Sequence, residues 1–339
     1  MPKQKHILVI RLSALGDVAM TVPVLKILNQ NYPELKITVL TRAFFKPLFR
    51  DLKNTTVFSA EVKTKHKGIF GLYKLARQIS KENKFYVIAD LHNVLRSKVL
   101  KKFLRCKRFI SIDKGRAEKR ALVSGKIVKQ LKTTHQRYAD VFEALGYKID
   151  LSKPIFLDSA VLNNKVLSLV GEKSEKRIGI APFAAHKGKM YPLDLIKKVI
   201  EVLSENYQIL LFGGGKQEVE ILNKFEVEYK NTLNLAGKLS FNEELDVISN
   251  LDVMLSMDSG NGHLAAMFGV KVVTIWGVTH PYAGFSPFNQ PQDYALIPDL
   301  KKFTKIPTSV YGNKYPEEYE EASRSISPEA VVNKLKSIL

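Results

Sequence analysis

Cysteine is nearly absent: Cys106 is the only one in 339 residues. That excludes a disulfide framework and any all-cysteine zinc or iron–sulfur site. Long apolar runs are missing as well. No stretch of about 18 apolar residues occurs, so no transmembrane helix is expected. Arg11 and Asp17 interrupt the apolar stretch 7–25, so the N-terminus does not read as a signal peptide, and the cytoplasm is the expected compartment. The seven histidines show neither H-x-x-x-H nor H-E-x-x-H spacing, and D-x-D does not occur, so no metal site is expected. No G-x-S-x-G elbow is present, which argues against hydrolase chemistry of that kind. Acidic residues are scarce in one half only. Residues 1–160 hold 33 Lys and Arg against 12 Asp and Glu, whereas residues 161–339 hold 20 against 21. The net charge of +20 therefore belongs to the first half. A field that one-sided attracts an anionic partner there: nucleic acid, an anionic membrane surface, or a phosphorylated or carboxylated substrate.

What remains is ordinary for a folded chain. Hydrophobic residues make up 45% and charged residues 25%, and the length suits about two domains. Short apolar runs alternate with amphipathic stretches. Strands are expected at 6–10, 35–41, 85–90 and 108–112, with helices over 18–31, where Pro23 sits near the start, and around 71–82. Polar residues 171–176 and Lys153-Pro154 mark the boundary, after which the pattern restarts. Strands are expected at 177–182, 208–212, 253–257 and 272–276, with helices at 193–206, 241–250 and 262–268. The segment 284–316 reads as irregular, and Ser327-Pro-Glu329 opens a last helix. The alternation predicts α/β architecture with two doubly wound parallel sheets. Ligands of such sheets sit outside the carboxyl ends of the strands. Functional residues are therefore sought in 11–17, 182–191, 213–218, 257–263 and 277–284.

Asp258-Ser-Gly-Asn-Gly-His263 is the strongest local signal. It follows a strand and opens a helix, and Gly260 and Gly262 let a ligand approach the backbone, as a diphosphate would require. Helix capping accounts for Asp258 and Ser259 but not for Gly260, Asn261, Gly262 and His263 with them. The loop Ser13–Asp17 lacks G-x-G-x-x-G, which disfavours a nicotinamide enzyme. Asp17 is either a helix-dipole partner or a carboxylate that accepts a proton from a substrate hydroxyl. Lys187 and Lys189, before Tyr191-Pro192, can neutralise a phosphate as point charges. Gly213-Gly-Gly-Lys216 is followed by Gln217, so it is not a Walker loop. Glu218 can hydrogen-bond a ribose or serve as a first-turn acid.

Taken in order, Ile10-Arg-Leu-Ser-Ala-Leu-Gly-Asp17 with Pro23, Lys189-Met-Tyr-Pro192, Phe212-Gly-Gly-Gly215, and Asp258-Ser-Gly-Asn-Gly-His263 with Trp276-Gly277 and Pro281 carry a family pattern. The chain resembles the ADP-heptose:lipopolysaccharide heptosyltransferases of glycosyltransferase family 9. The likeness implies a GT-B fold, two Rossmann-like doubly wound domains facing across a cleft. It implies an acceptor domain over 1–160, a nucleotide-sugar donor domain over 161–320, and a C-terminal helix in 321–339 that can pack back on the first domain. It also implies a metal-independent, inverting transfer of heptose to the lipopolysaccharide inner core, without a cofactor. By the same likeness Asp17 matches the general base, and Lys189 the lysine at the donor phosphates. Asp258 matches the acid at the sugar hydroxyls, with Ser259, Gly260 and His263 at the diphosphate and Glu218 at the ribose. The loop Phe183-Ala-Ala185 departs from the pattern, having no hydroxyls where some members carry Ser or Thr. Ser13, Lys65, Lys67, Arg96, Arg116 and Arg120 are the expected contacts to an anionic acceptor at the inner face of the cytoplasmic membrane. A GT-B transferase or epimerase with another nucleotide-sugar is the alternative. A basic nucleic-acid-binding protein is a further one, although no helix-turn-helix, RNP or zinc-finger signature occurs.

Overall fold

A computed structural model describes residues 5–339. The chain divides into two compact units. One comprises the residues up to Lys114 together with Thr134–Leu157, and the other Gly115–Thr133 with Asp158–Leu339.

The first unit opens with β1 (His6–Ile10), buried along its whole length, as a strand covered on both faces must be. The chain then forms α1 (Leu15–Ala19) and α2 (Thr21–Asn31). The single helix expected over 18–31 is thus two, and Pro23 lies in the first turn of the second, where its missing N–H is harmless. β2 (Lys36–Thr41), β3 (Thr55–Ser59), α3 (Gly68–Glu82), β4 (Val87–Asp90), α4 (Leu95–Phe103) and β5 (Arg108–Ser111) follow. All strands are parallel, in the order β3-β2-β1-β4-β5. Leu8, Ile10, Leu40 and Ile88 of the sheet meet Leu72, Leu75, Ile79 and Leu100 of α3 and α4 in one cluster.

The next helix, α5 (Arg116–Val123), belongs to the second unit. The acceptor domain expected over 1–160 would include this helix, whereas the structure groups it with the second unit. Leu122 and Leu131 pack on Ala283, the Leu131 N–H bonds the Tyr282 carbonyl at 2.9 Å, and Lys119 Nζ lies 3.8 Å from the Phe285 ring centroid. Counting charge along the chain could not register that apolar attachment. The chain returns to the first unit with α6 (Thr134–Ala144), which packs on α2.

The remaining elements of the second unit are α7 (Asn164–Val170), β6 (Arg177–Ala181), α8 (Leu193–Ser204), β7 (Gln208–Leu211), α9 (Lys216–Glu228), β8 (Thr232–Asn234), α10 (Phe241–Ile248), β9 (Val253–Met257), α11 (Gly260–Ala266), β10 (Lys271–Ile275), β11 (Ala295–Leu296) and α12 (Pro328–Ile338). The sheet is again parallel, in the order β11-β10-β9-β6-β7-β8. Ser327 caps α12 by accepting from the Ala330 N–H, and Pro328 fills its first position. Val331, Val332, Leu335 and Ile338 then join the core formed by α8 and the second sheet. The C-terminal helix therefore closes the second unit's own core. Among the described residues no helix is long and apolar enough to cross a membrane.

One carboxyl inside the second unit carries a pH dependence. Burial pushes Glu244, on α10, up from the ordinary 4.5 to about 7. As pH rises, the unfolded chain ionises first and the folded one resists. Folding stability is therefore lost between about pH 4.5 and 7 and stays lost above. Glu244→Gln is expected to gain about 2 kcal/mol over the parent at pH 8 and nothing at pH 4. Thermal unfolding of both proteins across that range checks it; a gain that is constant with pH would assign the effect to packing.

Candidate active site

Each sheet reverses its strand order once, between β1 and β4 in the first and between β6 and β9 in the second. At such a reversal the flanking connections leave in opposite directions and open a crevice at the carboxyl ends. Of the loops singled out from sequence, 11–17, 182–191 and 257–263 flank these two points, and 213–218 and 277–284 follow the neighbouring strands β7 and β10.

At the first, Ile10 is level with Asp90 of β4. Arg11, only 5% exposed, follows and donates from Nη1 to the Leu91 carbonyl at 2.6 Å. Its Nη2 meets Asp17 Oδ2 at 2.5 Å, and its guanidinium lies 5.9 Å from the Tyr138 ring centroid. Asp17 is the third residue of α1, not a loop residue. The Ala14 N–H also donates to Oδ2, at 3.3 Å, and the Tyr138 hydroxyl donates to the Asp17 carbonyl at 3.1 Å. No described residue donates to Oδ1, and the side chain is 31% exposed. One carboxylate oxygen is thus held and the other left open. Ser13, half-buried, sits on the same turn. His92 Nδ1 accepts the Leu12 N–H at 3.4 Å, which places the ring proton on Nε2 as a donor. Burial, with Arg11 next, pulls the His92 pKa down to about 3, so the ring is neutral near pH 7. Asp90, fully buried, accepts the His92 and Asn93 N–H groups on Oδ1 and the Ser111 hydroxyl on Oδ2, and so shapes the loop that presents Arg96.

Arg96 is exposed in the first turn of α4. Lys65 and Lys67 are exposed in the turn before α3, which His66 pins through the Glu61 N–H at 3.0 Å and Gln78 at 2.8 Å. Arg116 and Arg120 lie on α5 in the second unit.

At the second reversal Ala181 of β6 is level with Ser256 of β9. The loop after β6 brings Lys189 Nζ to 2.8 Å from Asp258 Oδ2, and the Thr279 hydroxyl donates to the same oxygen at 2.9 Å. Lys189 and Asp258 side chains are 16% and 9% exposed. The fit behind them is close. A Cβ on Gly277 would run into the Gly188 carbonyl, which accepts the Val278 N–H at 2.7 Å. A Cβ on Gly312 would strike the Lys189 stem. Ser259 stands at the N-cap of α11, but its side chain makes no capping bond. Ser256, which sequence reasoning passed over, does the holding instead: its hydroxyl accepts the Gly262 N–H at 3.1 Å and donates to the Met257 carbonyl at 2.7 Å. Gly260 and Asn261 form the first turn of α11, and His263 is buried further along it. Glu218 accepts the Gly214 N–H at 2.7 Å, so in this structure it closes the glycine turn as a first-turn acid. The loop 183–185 carries no side-chain hydroxyl, as its sequence requires. Arg11, Thr279, Ser256, His92 and Tyr138 were missed as individual site residues. Only Arg11 stood inside a motif, where its position beside the loop was the available signal. Among the described residues no group of three or more His, Cys, Asp or Glu is placed to hold a metal ion.

Two Rossmann-like parallel α/β units, each with its polar cluster at a strand-order reversal, are the GT-B fold of the nucleotide-sugar glycosyltransferases. The profile of glycosyltransferase family 9 (heptosyltransferase) matches residues 72–303. The chain is 21% identical over 337 residues to lipooligosaccharide heptosyltransferase 2 of Campylobacter jejuni, covering 96% of each. The structure of a family 9 glycosyl transferase from Veillonella parvula superposes with a TM-score of 0.77 at 19% identity, covering 100% of this chain and 98% of that one. The E. coli heptosyltransferase WaaC with ADP gives 0.71 at 17% identity, covering 98% and 100%. The chain belongs to glycosyltransferase family 9 and is a glycosyltransferase.

The Arg11–Asp17 contact can be tested apart from activity. Arg11→Met leaves the Leu91 carbonyl and Asp17 without their cationic donor. Discounted for the exposure of Asp17, the expected loss is about 1–3 kcal/mol. Urea unfolding reads it from the midpoint; a loss under about 0.5 kcal/mol would make the pair a solvated surface contact.

Proposed function

We propose that this family member transfers a heptose from ADP-heptose to the lipopolysaccharide inner core, with inversion at the anomeric carbon, at the inner face of the cytoplasmic membrane. The observation that carries the reading is the pair of clusters at the two strand-order reversals. An open carboxylate oxygen stands at the first and a half-buried lysine at the second. The names of the relatives agree with it, and so does the ADP in the E. coli neighbour.

Inverting transfer needs one proton acceptor and one site for departing negative charge. Asp17 is assigned the first task. Its Oδ1 takes the proton of the acceptor hydroxyl while that oxygen bonds to the anomeric carbon. His92, neutral with a donor at Nε2, leaves the base role to Asp17. The bond from the anomeric carbon to the diphosphate breaks with its electron pair going to ADP. Lys189 is assigned the growing charge on the diphosphate, where a positioned cation stabilises the transition state most. The diphosphate competes with Asp258 for that lysine, which frees Asp258 to accept from sugar hydroxyls. Ser259, Gly260, Asn261, Gly262 and His263 line the same loop, with Glu218 as the ribose contact. Ser13, Lys65, Lys67 and Arg96 from the first unit, with Arg116 and Arg120 from the second, are assigned to phosphates and carboxylates of the acceptor. These groups supply the charge that a metal would otherwise carry, so no cofactor is assigned.

Two measurements test this. In buffer containing EDTA, ADP and ADP-heptose are expected to raise the melting temperature, and UDP and GDP to leave it unchanged. A uridine preference would reassign the donor, and a requirement for added Mg²⁺ would remove the metal-free mechanism. Asp17→Asn is expected to lower kcat by about 10²–10⁴ with ADP affinity unchanged. A variant that keeps more than about half of the parental kcat means that another group is the base.

A further inference from the structure

The basic excess is more local than the half-chain count shows. Residues 62–112 hold fourteen Lys and Arg against two Asp and Glu, +12 of the chain's +20. This stretch is α3, β4, α4 and β5, and little of its charge lies at the Arg11–Asp17 cluster. Between Glu61 and Glu82 there are six cations and no acid: Lys63, Lys65, Lys67, Lys74, Arg77 and Lys81, all exposed.

The same helix displays apolar side chains where water should be. Its inner face, Leu72, Leu75, Ala76 and Ile79, is buried in the first core. On the opposite side of its first turns, Phe70 is 89% exposed, Ile69 64% and Tyr73 44%. Leu95, 77% exposed, opens α4, and α3 packs directly on α4. Single exposed apolar residues need no explanation, but three within five residues, ringed by cations, do. Each of these helices follows a parallel strand, so both begin at the carboxyl edge of the first sheet. That is the edge that carries Ser13, Asp17 and Arg96.

We propose that the N-terminal turns of α3 are a membrane-docking element. Ile69, Phe70 and Tyr73 enter the headgroup boundary of an anionic bilayer, and Lys63 and Lys74 pair with its phosphates. Charge complementarity selects this partner. Six cations without an acid suit a surface of anionic lipid, and large apolar side chains among them suit the acyl boundary beneath it. The docking edge is the acceptor edge, so a lipid-linked acceptor would reach Asp17 without leaving its membrane. The inference rests on the proposed action at a membrane, but its test does not need the reaction.

The intact chain is mixed with vesicles of phosphatidylglycerol and phosphatidylethanolamine, or of phosphatidylcholine alone, and sedimented. Binding to the anionic vesicles only, falling with added salt, is expected. Ile69→Ser with Phe70→Ser should lower the partition coefficient at least tenfold, and each of Lys63→Gln and Lys74→Gln about fivefold. Val161→Ser with Val227→Ser, which removes equally exposed apolar residues of the second unit, should leave it unchanged. Phe70→Trp gives a direct reading, since the native Trp276 is buried: brominated lipid should quench its emission. An unquenched tryptophan on bound protein, equal binding to phosphatidylcholine, or binding undisturbed by the serine pair overturns the proposal. So does concentration-dependent dimerisation that the serine pair abolishes without any vesicle binding. Transfer to a deacylated acceptor in solution is assayed separately. If it fails while vesicle binding stands, the catalytic reading falls and the docking element does not.

Discussion

A parallel sheet must bury both faces, and a chain that covers both must reverse its winding once. That constraint fixes where chemistry can be placed in this protein. Each sheet reverses at one gap, β1 against β4 and β6 against β9, and the strand-end loops that flank the gap cannot be closed by a crossing connection. The polar residues that a packed core would reject collect there. Arg11 is tolerated at 5% exposure because the Leu91 carbonyl and Asp17 both receive its protons. Asp90 is tolerated at full burial because three donors reach it.

The two gaps solve the same problem in related ways. In each, a cation and a second donor converge on a single carboxylate oxygen: Arg11 and the Ala14 N–H on Asp17, Lys189 and the Thr279 hydroxyl on Asp258. Each carboxylate is oriented through one oxygen, and for Asp17 no described residue donates to the other. The partners differ in kind. Arginine, with a planar fork, can hold the backbone and the carboxylate together and stays put. Lysine is a single point charge on a flexible stem, so it can turn from Asp258 to an incoming anion. Gly312 leaves its stem the space it occupies, and Gly277 lets the Gly188–Lys189 backbone approach.

Much of this was legible in the sequence. Apolar runs of four to six residues marked most strands, and the strand-to-helix loops after β1 and β9 marked both gaps. β3, β8 and β11 were not legible. They are edge or near-edge strands, half-exposed or only two or three residues long, and carry no continuous apolar run. Site residues that act through tertiary contact were equally hidden. Tyr138 reaches Asp17 from 121 residues away, and Thr279 reaches Asp258 from 21. Nothing local distinguishes either from a core tyrosine or a loop threonine. The placement of α5 was misread for the opposite reason, because its charges were conspicuous and its apolar attachment to Ala283 was not.

The charge distribution also bears on how the two tasks of a transferase are kept apart. The second half of the chain is nearly neutral, with 20 basic and 21 acidic residues. Lys189 there is neutralised by Asp258, so on the proposed reading donor recognition depends on short-range geometry. The first unit instead exposes many cations without acidic partners on α3 and α4. Their attraction is long-ranged only to about 8 Å at physiological ionic strength, so it acts on a surface already close by. A nucleotide-sugar is small and diffuses freely, and a site of fixed geometry is enough to select it. A lipid-linked acceptor moves in two dimensions, and the difficulty is to keep the protein at its plane. On the proposed reading, the exposed cations that precede and line α3 and α4 answer that second need, at the strand-end edge that also carries Asp17.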